Sequence, residues 1–209
     1  MKLSVAAGVA VMLAAWFGLG LSSALANTDP KAVRIVQESC MHCHGKDGEG
    51  ARPTFPYLAG QNADYLESQL RAYRSGQRKH RSMAAVVEEL EEDDFRRLAR
   101  HYAALPLRLT PVRASSPAAV ALGRQLYTQG RPAVGVADCV ACHGAKAQGS
   151  DRMPRLAGQH PLYLQQQLRA FDQRERGAGG TGGAGPHPAV TALSDDERKA
   201  LAEYIAGLQ

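Results

Sequence analysis

Cys40-Met41-His42-Cys43-His44-Gly45 recurs as Cys139-Val140-Ala141-Cys142-His143-Gly144, 99 positions further on. These two stretches hold all four cysteines of the 209-residue chain. Other landmarks repeat around them in the same order. Leu58-Ala59-Gly60-Gln61 returns as Leu156-Ala157-Gly158-Gln159, and Gln69-Leu70-Arg71-Ala72-Tyr73 as Gln167-Leu168-Arg169-Ala170-Phe171. Leu98–Leu105 matches Leu201–Leu208. The register slips by one residue after the cysteines and gains five in the Gly-rich segment Arg176–Pro188. The chain reads as one unit written twice.

The chemistry of the repeated stretch is specific. Two thiols three residues apart on a helical turn match the separation of the two vinyl groups on one porphyrin edge, and the next imidazole then points at the iron. C-x-x-C-H therefore reads as covalent attachment of a c-type haem, through Cys40 and Cys43 and again through Cys139 and Cys142, with His44 and His143 as proximal ligands. Three rivals share part of the pattern. A zinc site needs further Cys or His ligands at set spacing, a thioredoxin-like pair needs a βαβ setting, and two plain disulfides leave the adjacent histidines without a role. Each histidine is followed by a Pro-x-Leu, Pro56-Tyr57-Leu58 and Pro154-Arg155-Leu156. A proline carbonyl there is the natural acceptor for the second ring N–H of the ligand.

The hydrophobic pattern is helical throughout. Each copy predicts a short helix before the cysteines, a loop, a middle helix and a closing helix. Tyr65, Leu66, Gln69, Leu70 and Tyr73 recur at three- and four-residue spacing, with Asn62 as N-cap; in the second copy Pro161 suits the first helical position. Ser194-Asp195-Asp196-Glu197 is a capping-box pattern, and Glu91–Asp94 is a run of acids that favours a helix N-terminus. Copies of about 80–90 residues are small for a core made of protein alone; a haem in each supplies apolar mass.

The leader and charge bound the setting. Lys2, an apolar stretch to Leu21 and Ser23-Ala24-Leu25-Ala26 form a signal-peptide pattern, so 1–26 is expected to be cleaved; the alternative is an uncleaved membrane anchor. Domains are expected at 27–106 and 118–209, with 107–117 as linker. Net charge is +5. Residues 27–106 carry 12 basic and 12 acidic side chains and 107–209 carry 12 and 8, dispersed rather than forming the patch a nucleic acid requires.

With these residues set out, the chain resembles the cytochrome c4 family of dihaem cytochromes. The resemblance rests on the duplicated C-x-x-C-H, the Pro-x-Leu-Ala-Gly-Gln and the Tyr-Leu…Gln-Leu-Arg helix, and spans essentially the whole mature chain. It implies an all-α protein of two tandem class I cytochrome c domains, each around one covalent haem c. It further implies a periplasmic location and electron delivery toward a terminal oxidase, with histidine–methionine ligation at both irons. Met83, in Arg81-Ser82-Met83-Ala84, matches the family's methionine. The second copy departs, having no methionine between Phe171 and Leu193. His187 is the best candidate sixth ligand there, with Met153 or an open iron as alternatives. Methionine opposite histidine raises a haem potential, so a bis-histidine second haem implies electron flow from the C-terminal haem to the N-terminal one. The Gly-rich segment around His187 is a surface insertion or, alternatively, makes the ligand displaceable. Arg71, Arg74, Arg78, Lys79 and Arg81 read either as a docking patch for an acidic partner or as a solvated face.

The expected partners are redox proteins met transiently, a membrane oxidase or cytochrome complex, with membrane-surface association left open. No nucleic acid and no small-molecule substrate are expected. The alternative function is a haem enzyme, or the haem subunit of an oxidoreductase of peroxidase-like or sulfur-oxidising type, using a labile second haem; it needs distal acid–base residues, of which the sequence offers little beyond His187.

Overall fold

The protein was described from a computed structural model, which covers residues 29–109, 114–150, 153–177, 187, 190 and 192–209. The expected leader, part of the linker and most of the Gly-rich segment lie outside the described residues. In the first half, Asp29 starts helix α1 (Pro30–Ile35): its carboxylate accepts from Lys31 N–H at 2.9 Å and Ala32 N–H at 3.4 Å, with Pro30 in the first turn. The chain continues without a break through a π-turn (Val36–Cys40) into α2 (Met41–His44). It stops at Gly45, whose φ of +79° favours a residue without a Cβ. The middle helix α3 (Ala63–Arg74) is capped by Asn62, as the sequence predicts. A helix the sequence reading did not foresee, α4 (Arg81–Glu88), carries Met83, and its N-cap is His80. The closing helix α5 (Glu92–Ala104) opens on a capping box of Glu91 and Asp94.

The second half repeats this plan with one change. Helix α6 (Pro117–Gln129), capped by Ser116, ends at Gly130, and a loop closed by a bridge between Arg131 and Val136 intervenes before α7 (Val140–His143). Helices α8 (Pro161–Asp172) and α9 (Asp195–Ala206) complete the unit, the latter with the expected Ser194–Glu197 capping box. Among the described residues there is no strand, only two isolated bridges, so the fold is all-α. Each half has its own core. In the first, Ala32, Val87, Phe95, Leu98 and Tyr102 bring α1, α4 and α5 together; in the second, Leu126, Tyr127, Leu164, Leu201 and Ile205 join α6, α8 and α9.

The halves meet across a pseudo-twofold joint built mostly from side-chain amides and backbone. Gln159 accepts from Tyr57 N–H at 2.8 Å and donates to Tyr57 C=O at 3.1 Å. Gln61 does the same to the equivalent residue of the other half, accepting from Arg155 N–H and donating to Arg155 C=O, both at 2.9 Å. Each glutamine thus imitates a neighbouring β-strand. Beside them, Arg78 and Arg176 form an antiparallel bridge.

Two stability predictions follow from this packing. Gly123 lies where α6 crosses α9, and a Cβ there would run into the Ala200 carbonyl oxygen and Tyr204 Cβ. Glycine to alanine inside a helix ordinarily stabilises by about 1 kcal/mol; here Gly123→Ala should destabilise by about 1–3 kcal/mol through overpacking, read by guanidinium denaturation of the holoprotein. The Asp195 carboxyl is held below its ordinary value of 3.8, first by the hydrogen bond from Arg169 and then by Arg198. A depressed carboxylate stabilises the fold above the unfolded value and loses that contribution as pH falls through the folded one. Asp195→Asn should therefore flatten the loss of stability below pH 4, measured by denaturant midpoints across an acid series.

Candidate haem sites

The two C-x-x-C-H stretches fold alike. Cys40 precedes α2 and Cys43 lies within it, while Cys139 and Cys142 take the same places on α7; no two of the four pair in a disulfide. Among the described residues no three His, Cys, Asp or Glu side chains converge as a metal-ion cage, which leaves the zinc alternative without its further ligands.

Both histidines that follow the cysteines are buried, and each is pinned in one orientation. His44 Nδ1 lies 3.4 Å from Pro56 C=O and His143 Nδ1 lies 3.1 Å from Pro154 C=O. A carbonyl can only accept, so each Nδ1 carries the proton and each Nε2 keeps its lone pair for a metal. Burial, more than any neighbouring charge, holds both rings below the ordinary histidine pKa and therefore neutral. The proline carbonyls expected from the sequence are the acceptors.

The distal sides differ. The His187 ring lies parallel to that of His143, with 9° between planes and 6.2 Å between centroids. Two imidazoles bound to opposite faces of one metal ion, each nitrogen about 2 Å from it, put their ring centres roughly 6 Å apart. His187 Nδ1 is buried without a hydrogen-bond partner, and burial, then His143, pushes the ring's pKa down to about 4. The second site thus has the dimensions of a bis-histidine haem. Phe171 packs on the His187 ring at 4.9 Å. In the first half, Met83 is half-buried in the first turn of α4, and its N–H donates to His80 Nδ1 at 3.4 Å. His80 is a helix cap; His160, just before α8, makes no side-chain cap bond and instead stacks on Tyr57 across the joint, with ring centroids 4.4 Å apart.

The run of basic residues beside Met83 is partly engaged within the chain. Arg71 pairs with Glu67 and Glu92, and Arg74 donates to the carbonyls of Val87 and Leu90 and lies over Phe95. Arg78 is buried at the joint, whereas Arg74, Lys79 and Arg81 stay exposed. Sequence reasoning missed the joint's polar cluster altogether. Arg78 donates to Gln69 at 2.8 Å, Tyr163 at 2.8 Å and Gln167 at 2.6 Å, and Arg176 to Gln167 at 2.9 Å, Tyr65 at 2.6 Å and Gln69 at 3.0 Å. The available signal was that Gln69, Tyr65 and Arg78 each have a counterpart in the second copy. None of these acceptors is a carboxylate, and Arg176 Nε is buried with no acceptor. Two buried cations lacking carboxylates call for anions from outside the chain. The carboxylates of two haems are groups of the right charge.

Known proteins share this organisation. The family model for cytochrome c matches residues 31–100 and 120–209. Cytochrome c4 of Thiocapsa roseopersicina is 34% identical over 184 residues, covering 86% of this chain and 93% of that protein. The thiosulfate dehydrogenase electron acceptor of Stutzerimonas stutzeri (strain A1501) is 37% identical over 176 residues, 81% of this chain and 79% of its own. The crystal structure of reduced recombinant cytochrome c4 from Pseudomonas stutzeri superposes with a TM-score of 0.77 at 29% identity, covering 88% of this chain and 100% of that one.

The polar cluster yields its own prediction. Arg78→Met removes three hydrogen bonds, while Gln69 and Gln167 keep those from Arg176, and the expected loss is about 1–3 kcal/mol, measured by chemical denaturation of the holoprotein.

Proposed function

Since the chain belongs to the cytochrome c family, as a dihaem electron carrier of the cytochrome c4 kind, we propose that it works in the periplasm and passes electrons from its C-terminal to its N-terminal haem, and onward to a terminal oxidase. Two covalent haem c groups and redox protein partners come with that family. Which residues hold the haems, and the direction of flow, are our own reading. The leader 1–26 is removed on export, and domains 27–106 and 118–209, joined by 107–117, carry one haem each. Cys40 and Cys43 hold the first haem and Cys139 and Cys142 the second, with His44 and His143 as proximal ligands. Met83 is the sixth ligand of the first iron and His187 that of the second.

The observation that carries the direction is the facing pair His143 and His187, opposed to a first half in which Met83 sits on α4. A haem supplies reversible one-electron chemistry. The chain's part is to fix the ligands, keep both proximal imidazoles neutral and exclude water. A thioether ligand favours ferrous iron relative to a second imidazole, so the second haem has the lower potential and electrons run downhill toward the first.

A second reading concerns the donor. The similarity to a thiosulfate dehydrogenase electron acceptor favours a sulfur-oxidising enzyme as the source of electrons. That reading is compatible with delivery to an oxidase, and mixing reduced thiosulfate dehydrogenase with the oxidised protein tests it by stopped-flow haem reduction.

The ligand assignment predicts one methionine–ferric charge-transfer band for every two haems in the near-infrared spectrum, and two separate one-electron steps in a redox titration. His187→Met should add a second band and raise the lower potential. Two bands in the unaltered protein, or equal potentials, would refute the assignment.

A further inference from the structure

Each proximal histidine reaches the other half of the molecule through a single peptide group. The Pro56–Tyr57 peptide accepts from His44 Nδ1–H at its oxygen, and its N–H donates to Gln159 Oε1 at 2.8 Å. The Pro154–Arg155 peptide does the same in reverse, accepting from His143 and donating to Gln61 Oε1 at 2.9 Å. Neither amide could be turned round. Gln61 Oε1 also accepts from Asn62 N–H, and Gln159 Oε1 from His160 N–H, both at 3.0 Å, so the oxygen of each amide meets two donors while its Nε2 faces a carbonyl.

Hydrogen bonds in series polarise one another, more so when water is excluded, and both glutamines are buried. A peptide whose N–H is bound to an acceptor carries more negative charge on its oxygen. It therefore pulls harder on the ring N–H, which makes the imidazole a stronger donor to iron and favours the ferric state. We propose that Gln159 and Gln61 are positioning residues acting in a crossed sense. Gln159, in the second half, lowers the potential of the N-terminal haem, and Gln61, in the first half, lowers that of the C-terminal haem. The inference rests on His44 and His143 being the proximal ligands, and it implies that seating the two halves on each other sets both potentials together.

The test uses full-length holoprotein carrying Gln159→Met or Gln61→Met, in which the side chain keeps its length but neither accepts from nor donates to the backbone. Potentials are read by spectroelectrochemistry, and each haem is assigned by NMR from its contacts with residues of its own half. Gln159→Met should raise the potential of the N-terminal haem and shift its resonances, leaving the other haem nearly unchanged; Gln61→Met should do the mirror image. Asn62→Ser is the control. It cuts the Asn62 Nδ2 to Ser150 C=O bond across the same joint, 3.1 Å long, while a serine hydroxyl still caps α3, and it should move neither potential. Three results would overturn the proposal: equal shifts of both haems, a shift confined to the haem of the substituted half, or a shift matched by Asn62→Ser. So would no shift at all. The ligand reading is judged separately from the EPR spectrum of the unaltered protein. Histidine-ligated low-spin signals from both haems, combined with unmoved potentials, would sink the crossed control alone.

Discussion

Two guanidinium groups buried side by side at one joint, with only amide and phenol oxygens for company, constrain everything around them. Like charges in a dry setting repel, and each demands counter-charge. Arg78 and Arg176 share Gln69 and Gln167 as acceptors, and each reaches a tyrosine of the other half. They also lie over aromatic faces, Arg78 over Tyr73 and Arg176 over Phe171, each 4.6 Å from the ring centroid. Such contacts offset part of the burial cost but leave the charge in place. The carboxylates of two bound haems would supply the missing negative charge. Held that way, the haems would couple their own retention to the seating of the two halves. Phe171 links the cluster to the second site, touching Arg176 on one side and His187 on the other.

Duplication produced a symmetric joint and asymmetric distal sides. The cysteines, the histidine, the proline carbonyl and the glutamine recur in both copies in the same order. On the distal side the first half builds α4 and offers a methionine, whereas the second offers a histidine after its Gly-rich segment. The approach to the cysteines differs as well, one continuous helical path in the first half and a helix, loop and turn in the second.

Much of this was legible in the sequence because it depends on local patterns. C-x-x-C-H, the caps at Asn62 and Ser194, Pro161 at a helix start and the all-helical character each follow from a few adjacent residues. The proline carbonyl could be anticipated because a ligand histidine needs an acceptor for its second nitrogen. The joint could not. Gln69 and Tyr65 sit on what reads as the apolar stripe of an amphipathic helix, and their partners lie about a hundred positions away, beyond any periodicity. Arg78 read as one of a run of solvated bases because charge in sequence carries no sign of burial. Helix α4 was missed for a related reason: its cap is a histidine, an uncommon N-cap, and it is only eight residues long.

The glutamine joint recognises main chain rather than side chains, and this has a bearing on how the protein can diverge. The residue gripped is tyrosine in one half and arginine in the other, so its identity is nearly neutral to the grip itself. Spacing is not: five positions separate Pro56 from Gln61 and Pro154 from Gln159, although the loops between histidine and proline differ by one residue. The grip itself therefore places no demand on the side chains at 57 and 155, whereas a single-residue insertion or deletion between the proline and the glutamine would unseat both halves at once. Over evolutionary time that short interval should keep its length long after its letters have changed.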